Sequence, residues 1–394
     1  MANPYRELFA ARGSLAFTVT ALVARTAVPM TGIGLITMLS QLRGDYALAG
    51  AVSACFTLSM ALLGPQLSRI VDRRGQSRVL LPACGVSVSA LGMLLLCASF
   101  GAPVWLLFVF AVPAGCLPNL AAMVRARWSH LYRESARLHT AFSFESVVDE
   151  ITYVFGPALS VALCTTLFPQ AGPLVAAVLL AVGTLLFTAQ RATEPPVHVA
   201  PAGPARSVIR DPAMVVLVLV LTAGGTIVGT VDVVSIAFAE AHGNTMAAGV
   251  VVSVYAIGSA VAGLVFGGLK LTVPLPRLLL LGTLGTALTT VPMLLVTSVT
   301  GLAATVFFAG VFFAPSMIVI MTLVERIVPA SALTEGMTWA LTGLNVGVAL
   351  GAAVAGQAVE GFGPSGGFTV AVVAGGAAVV IALAGHRALA HRLP

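Results

Sequence analysis

Ionisable side chains set within long apolar runs are the first residues in this sequence that could do chemistry, because charge inside hydrocarbon is costly and is kept for binding or coupling. Arg25 stands in the apolar run 14–38, roughly 16 Å along a helix begun at Ser14, at 1.5 Å per residue. At that depth its guanidinium needs an anion. The run 140–168 offers three, in Phe144-Glu145-Ser146-Val147-Val148-Asp149-Glu150-Ile151-Thr152-Tyr153. Glu145 and Asp149 are four apart and share a helix face. Counted from Thr140, Asp149 is about 13 Å in. If residues 151–168 alone make the span, all three acids lie instead in the headgroup layer. Crowded carboxylates raise one another's pKa, which suits a site that loads and releases protons. Asp232 follows Gly229-Thr230-Val231, well past the middle of the run 213–238. A carboxylate there binds a proton or a cationic substrate, or else marks the outer interface. Asn119 beside Pro118, Tyr153, and Asn345 between Gly343 and Gly347 are polar candidates for a cavity wall. Each asparagine equally suits a hydrogen bond between helices.

Membrane-spanning helices must position these residues. Of 394 residues, 58% are hydrophobic and 9% charged, with a mean hydropathy of +1.02. A soluble domain carries about a quarter charged residues. Runs long enough to cross, roughly 20 residues each, fall near 14–38, 46–67, 79–99, 103–124, 140–168, 172–189, 213–238, 246–269, 276–297, 301–323, 334–357 and 366–385. The stretch from Gln190 to Pro212 holds Pro195, Pro196, Pro201, Pro204 and Pro212, and reads as a connector. The chain thus divides into a six-helix bundle at 1–189, a linker at 190–212 and a second six-helix bundle at 213–394. The fold class predicted is all-α integral membrane, with twelve transmembrane helices.

With both termini cytoplasmic, every one of the 20 Lys and Arg residues except Arg25 and Arg43 falls on the cytoplasmic side, as the positive-inside rule requires. The segment Met1 to Arg12 lacks the pattern of a cleaved signal peptide. The first helix is therefore expected to be retained, in a multi-pass protein of the cell (inner or plasma) membrane with lipids as its surroundings. The net charge of +6 sits in short clusters beside apolar runs, as juxtamembrane charge does, so no nucleic-acid partner is expected. Cys55, Cys84, Cys97, Cys116 and Cys164 lie in apolar runs without metal-ligand spacing, and neither disulfide nor metal site is expected. Trp128 and Tyr132, beside Arg125, Arg127 and Arg133, read as an interfacial anchor. Gly258, Gly263 and Gly267 read as points of close helix packing.

The halves echo each other. Leu138-His139-Thr140-Ala141-Phe142-Ser143-Phe144 can be laid on Leu333-Thr334-Glu335-Gly336-Met337-Thr338-Trp339, an offset of 195, and Pro118 precedes Pro315 by 197. Between the second and third runs stands Asp72-Arg73-Arg74-Gly75-Gln76-Ser77-Arg78. This loop resembles the cytoplasmic signature of the major facilitator superfamily: an acid, an arginine, a glycine, then bases. Helix number, linker and duplication extend the resemblance over the whole chain.

The resemblance implies two pseudo-symmetric bundles, usually in a monomer. It also implies a gating role for Asp72, Arg73, Arg74, Gly75 and Arg78, with Asp72 engaging the start of a helix whose positive end favours it. Ser68 stands where the family has glycine, and Gln76 where it has a base. The second-half counterpart, Gly267-Gly268-Leu269-Lys270, has no acid. Gly156-Pro157 is similar to the Gly-Pro of proton-driven drug antiporters, although Ser143, Thr152, Ser160 and Val161 replace the surrounding glycines. Ala111, four residues before Gly115, replaces the arginine that many proton antiporters carry. The Gly-Pro match favours the deeper placement of the fifth-run acids. In the family the first and fifth helices are neighbours, which implies that Arg25 pairs with Asp149 or Glu150 and leaves another carboxylate to take a proton.

The sequence contains no nucleotide-binding loop, metalloprotease helix or nucleophile elbow, so an enzyme or sensor is the weakest reading. Efflux of small amphipathic compounds or metabolites, with the proton as coupling ion and no other cofactor, is the leading one. An uptake permease for a small solute would use the same architecture in reverse. If Arg25 and Asp149 pair, Arg25→Ala and Asp149→Asn each impair transport, and the double change costs about 1 kcal/mol less than the sum in a double-mutant cycle of transport rates. Strictly additive losses would remove the pair.

Overall fold

In hydrocarbon every backbone polar group must be bonded within the protein, and an uninterrupted apolar run achieves this as a helix. The computed structural model describes residues 4–133, 135–197, 207–242, 246–269 and 273–390. Its helices are α1 Pro4–Leu8, α2 Ser14–Arg43, α3 Tyr46–Arg74, α4 Gln76–Ser99, α5 Val104–Ala114, α6 Leu120–Tyr132, α7 Ala136–Thr166, α8 Ala171–Ala189, α9 Pro212–Ala241, α10 Met246–Gly267, α11 Leu275–Thr290, α12 Val299–Ile327 and α13 Leu333–Ala390. No strand forms among the described residues. Nine of the described helices are long and apolar enough to cross a membrane, and Val104–Ala114 and Ser253–Gly267 are shorter apolar helices.

Four of the predicted runs depart from one helix per run. Run 103–124 is broken: α5 stops at Ala114, and Asn119 caps a new helix, its Oδ1 accepting the Ala122 N–H at 3.0 Å. Pro118 lies in that break and has no N–H to continue a helical ladder. Its expected echo, Pro315, instead sits inside α12, which runs on through it. Run 276–297 tightens into a 3₁₀ turn at Val291–Leu295, where Pro292 lies. The last two runs are continuous as α13, with one non-helical residue, Gly363 at φ 74°, between them. The aligned segments at 138–144 and 333–339 do both open long helices, α7 and α13.

The chain divides into two compact units, residues 1–133 with 151–203, and residues 134–150 with 204–394. Helix α7 therefore contributes its first half to the second unit and its second half to the first. In unit 1, α2 packs on α8 and α3, while α4 packs on α8 and α5. Leu35, Met38, Leu39, Phe56, Leu91 and Leu94 lie in the core of that packing. Arg43 closes the far end of α4, donating from Nη2 to the Cys97 carbonyl at 3.4 Å and to the Ala102 carbonyl just beyond the helix at 2.8 Å.

In unit 2, α9 packs along α13 and α10 along α12. The α9–α13 seam is backbone on backbone. A Cβ at Gly225 or Gly229 would strike the Leu344 or Val348 carbonyl, and one at Gly347 or Gly351 the Thr222 or Thr226 carbonyl. Small residues spaced four apart let two helices approach this closely. Gly347→Ala should lower thermal stability in detergent by about 1–3 kcal/mol. Gly376→Ala, on the same helix with open space around it, should not. Equal melting temperatures for the two variants would show that the seam relaxes without cost.

Candidate functional site

Unit 2 gathers an acidic and hydroxyl-bearing group from three helices. Glu150 lies about four turns into α7, and its Oε1 accepts a hydrogen bond from Ser259 Oγ on α10 at 2.8 Å. Asp149 and Asp232 both act electrostatically on Glu150. Tyr255, one turn before Ser259 and buried, feels Glu150 and Asp232 alike. Its ring lies 6.2 Å from that of Phe313 on α12.

The packing of α10 on α12 fixes this group. Gly258 abuts the Phe307 carbonyl and Gly310 the Tyr255 carbonyl, so there is no room for a side chain at either. Gly263 leaves space for Ala314 and for Val147 of α7. The polar edge of α10 thus meets the acids of α7 and α9.

The sequence-predicted residues distribute as follows. Glu150 and Asp232 come together in unit 2, with Asp149 beside them. Glu145 is fully buried in α7, and Tyr153 is exposed. Arg25 is buried in α2 of unit 1. Asn119 serves as the α6 cap, and Asn345 is half-buried in α13 between the seam glycines Gly343 and Gly347. In unit 1 a Cβ at Gly156 would meet Pro29 at 3.0 Å, so the Gly156-Pro157 step lies where α7 crosses α2 closely. Tyr255 and Ser259 were missed. Their signal was two hydroxyls four apart on one face of an otherwise apolar run.

The loop Asp72–Arg78 is built around Gly75, which at φ 93° is at once the C-cap of α3 and the N-cap of α4. Asp72 is half-buried, and Arg73, Arg74 and Arg78 are exposed. Gln76 is buried: its Nε2 donates to the Met123 carbonyl at 3.1 Å, and its Oε1 accepts from Arg127 Nε at 2.8 Å. Arg127 was expected at a lipid interface with Trp128 and Tyr132. It is instead fully buried, and so are Arg125 and Trp128. The reason is that α6 continues to Tyr132 and turns this face inward. Trp128 packs edge-on to Phe17, with ring centroids 4.7 Å apart, and Tyr132 Oη donates to the Leu8 carbonyl at 2.7 Å. Burial pushes the Arg127 guanidinium down to about 10 while Glu194 opposes the shift, so it stays charged at neutral pH. Lys270, in the counterpart of this loop, lies outside the described residues. Among the described residues no three His, Cys, Asp or Glu side chains gather in a way that could hold a metal ion.

The sequence profile of the Major Facilitator Superfamily matches residues 15–269 and 233–391. The chain belongs to this superfamily. Its fold is similar to that of a bacterial homologue of the iron transporter ferroportin, solved outward-facing with soaked iron. That likeness has a TM-score of 0.76 at 14% identity, over 95% of this chain and 99% of the other. It is also similar to the human organic anion transporter MFSD10 (TETRAN), with a TM-score of 0.70 at 12% identity, over 93% and 98% of the two chains. No curated protein matches it in sequence. Superfamily membership makes the chain a multi-pass membrane transporter rather than an enzyme.

Proposed function

We propose that this member of the superfamily is a proton-coupled exporter of small amphipathic organic compounds, acting by alternating access at the cell membrane. The observation that carries the reading is the meeting of Glu150 and Asp232 within electrostatic reach of each other, beside Tyr255 and Ser259. The described basic residues of α9 to α13, namely Arg277, Arg326, His386 and Arg387, stand near helix ends. A proton, or positive charge on a substrate, would neutralise these acids. Two like charges held close in a poorly polarisable interior are costly together. A proton on one and a cation near the other relieve that cost, and this exchange is what couples two fluxes.

Tyr255 and Phe313 add aromatic surface suited to an amphipathic body. An acid pair at the group disfavours the anionic cargo named for the human relative. Arg25, Glu145 and Asp149 are assigned to the same coupling machinery. The Asp72–Arg78 loop is assigned to gating, and Asn345 to the polar lining.

The test is accumulation of ethidium in efflux-deficient cells expressing the chain, with and without a protonophore. Accumulation should fall well below that of cells lacking the protein and return to that level with the protonophore. Glu150→Gln and Asp232→Asn should each abolish the difference at unchanged protein level in the membrane. Unaltered accumulation would sink the export reading for cations, and accumulation raised above the control would replace it with uptake.

A further inference from the structure

Glu194 belongs to the linker, yet its carboxylate sits on the first turn of α4. A helix's first N–H groups have no partner within the helix. The residue that should cap α4 from within the chain is Gly75, which has no side chain to do so. Glu194 supplies the cap from 117 residues away: Oε1 accepts the Ser77 N–H at 2.9 Å, and Oε2 accepts the Ser77 hydroxyl at 2.5 Å. A carboxylate is also the charge that this end of a helix favours. A Cβ at residue 75 would come within 3.0 Å of Glu194 Oε1, so the glycine is required by the cap as well as by its φ.

Arg127 completes the corner. From Nη1 it donates to the Gln190 carbonyl at 3.0 Å and to Thr193 Oγ1 at 2.9 Å, and from Nη2 to the Phe187 carbonyl at 3.3 Å. Its guanidinium lies 3.8 Å from the centre of the Phe187 ring. These carbonyls are the loose end of α8, where a cation is favoured. Through Nε it also holds Gln76, the first residue of α4. A base at position 76 would set like charge against Arg127. The departure of Gln76 from the family signature and the buried arginine therefore belong together.

We propose that Glu194 and Arg127 are positioning residues of the signature loop: Glu194 caps α4 from the linker, Arg127 ties that cap to the end of α8, and together they seat Asp72–Arg78. The linker's first turn and the loop then move as one piece. The far end of the linker is held in the same manner within unit 2, where Glu335 accepts from the Ser207 hydroxyl and from the Val208 N–H.

The test is hydrogen–deuterium exchange of the full chain in detergent, a readout that needs no substrate and is independent of the export reading. Glu194→Ala should speed exchange of the amides at 75–80 roughly fivefold while leaving α5 unchanged. Glu194→Gln, which keeps an oxygen for the Ser77 N–H, should restore most of the protection. Arg127→Met and Gln76→Lys should loosen both 75–80 and 187–194. Unchanged exchange at 75–80 in Glu194→Ala would overturn the assignment. So would a rise shared equally by every segment, because that is general destabilisation and not loss of a seat.

Discussion

Hydrocarbon offers backbone N–H and C=O groups no water, and the organisation of this protein follows from that one constraint. It turns each long apolar run into a helix. It also restricts where a helix can end, since each terminus leaves unsatisfied donors or acceptors. The chain meets this requirement with side-chain caps, some local and some brought from elsewhere. Asn119 caps α6 from within the chain. Arg43 and Arg127 close the carbonyl ends of α4 and α8, and Glu194 closes the amide end of α4. Charge of the right sign at the right helix end recurs at three of these places.

Close packing is the second consequence. Helices in lipid gain little from burying apolar surface against one another, so they depend on contact between well-fitted surfaces. The α9–α13 and α10–α12 seams achieve this by removing side chains at Gly225, Gly229, Gly347 and Gly351, and at Gly258 and Gly310. The seams also fix where polar side chains lie. The Gly258–Gly310 contact orients the face of α10 that carries Tyr255 and Ser259. A polar group in an apolar bundle is only as well placed as the helices around it.

Structural neighbours at 12–14% identity share this fold while bearing names for iron and for organic anions. One fold hosts many functions, so function has to be argued from the site and not from the frame. The side chains gathered in unit 2 are acids and hydroxyls. Their helices are α7, α9 and α10.

Hydropathy alone determined the class of this protein, because runs of apolar residues can be satisfied only as spanning helices. It also singled out Glu145, Asp149, Glu150 and Asp232, because charge is conspicuous in such runs. The Asp72–Arg78 pattern was enough to suggest the superfamily. Tertiary structure decided the rest. It split run 103–124 at Pro118, where a helical bond cannot form. It carried Arg127 and Trp128 from a supposed lipid interface into the interior, since the inward face of α6 depends on what packs against it. It joined Glu150 to Ser259 and Ser77 to Glu194, pairs 109 and 117 residues apart. Spacing along a chain reports neighbours on one helix, and contacts of that range arise only when separate helices pack.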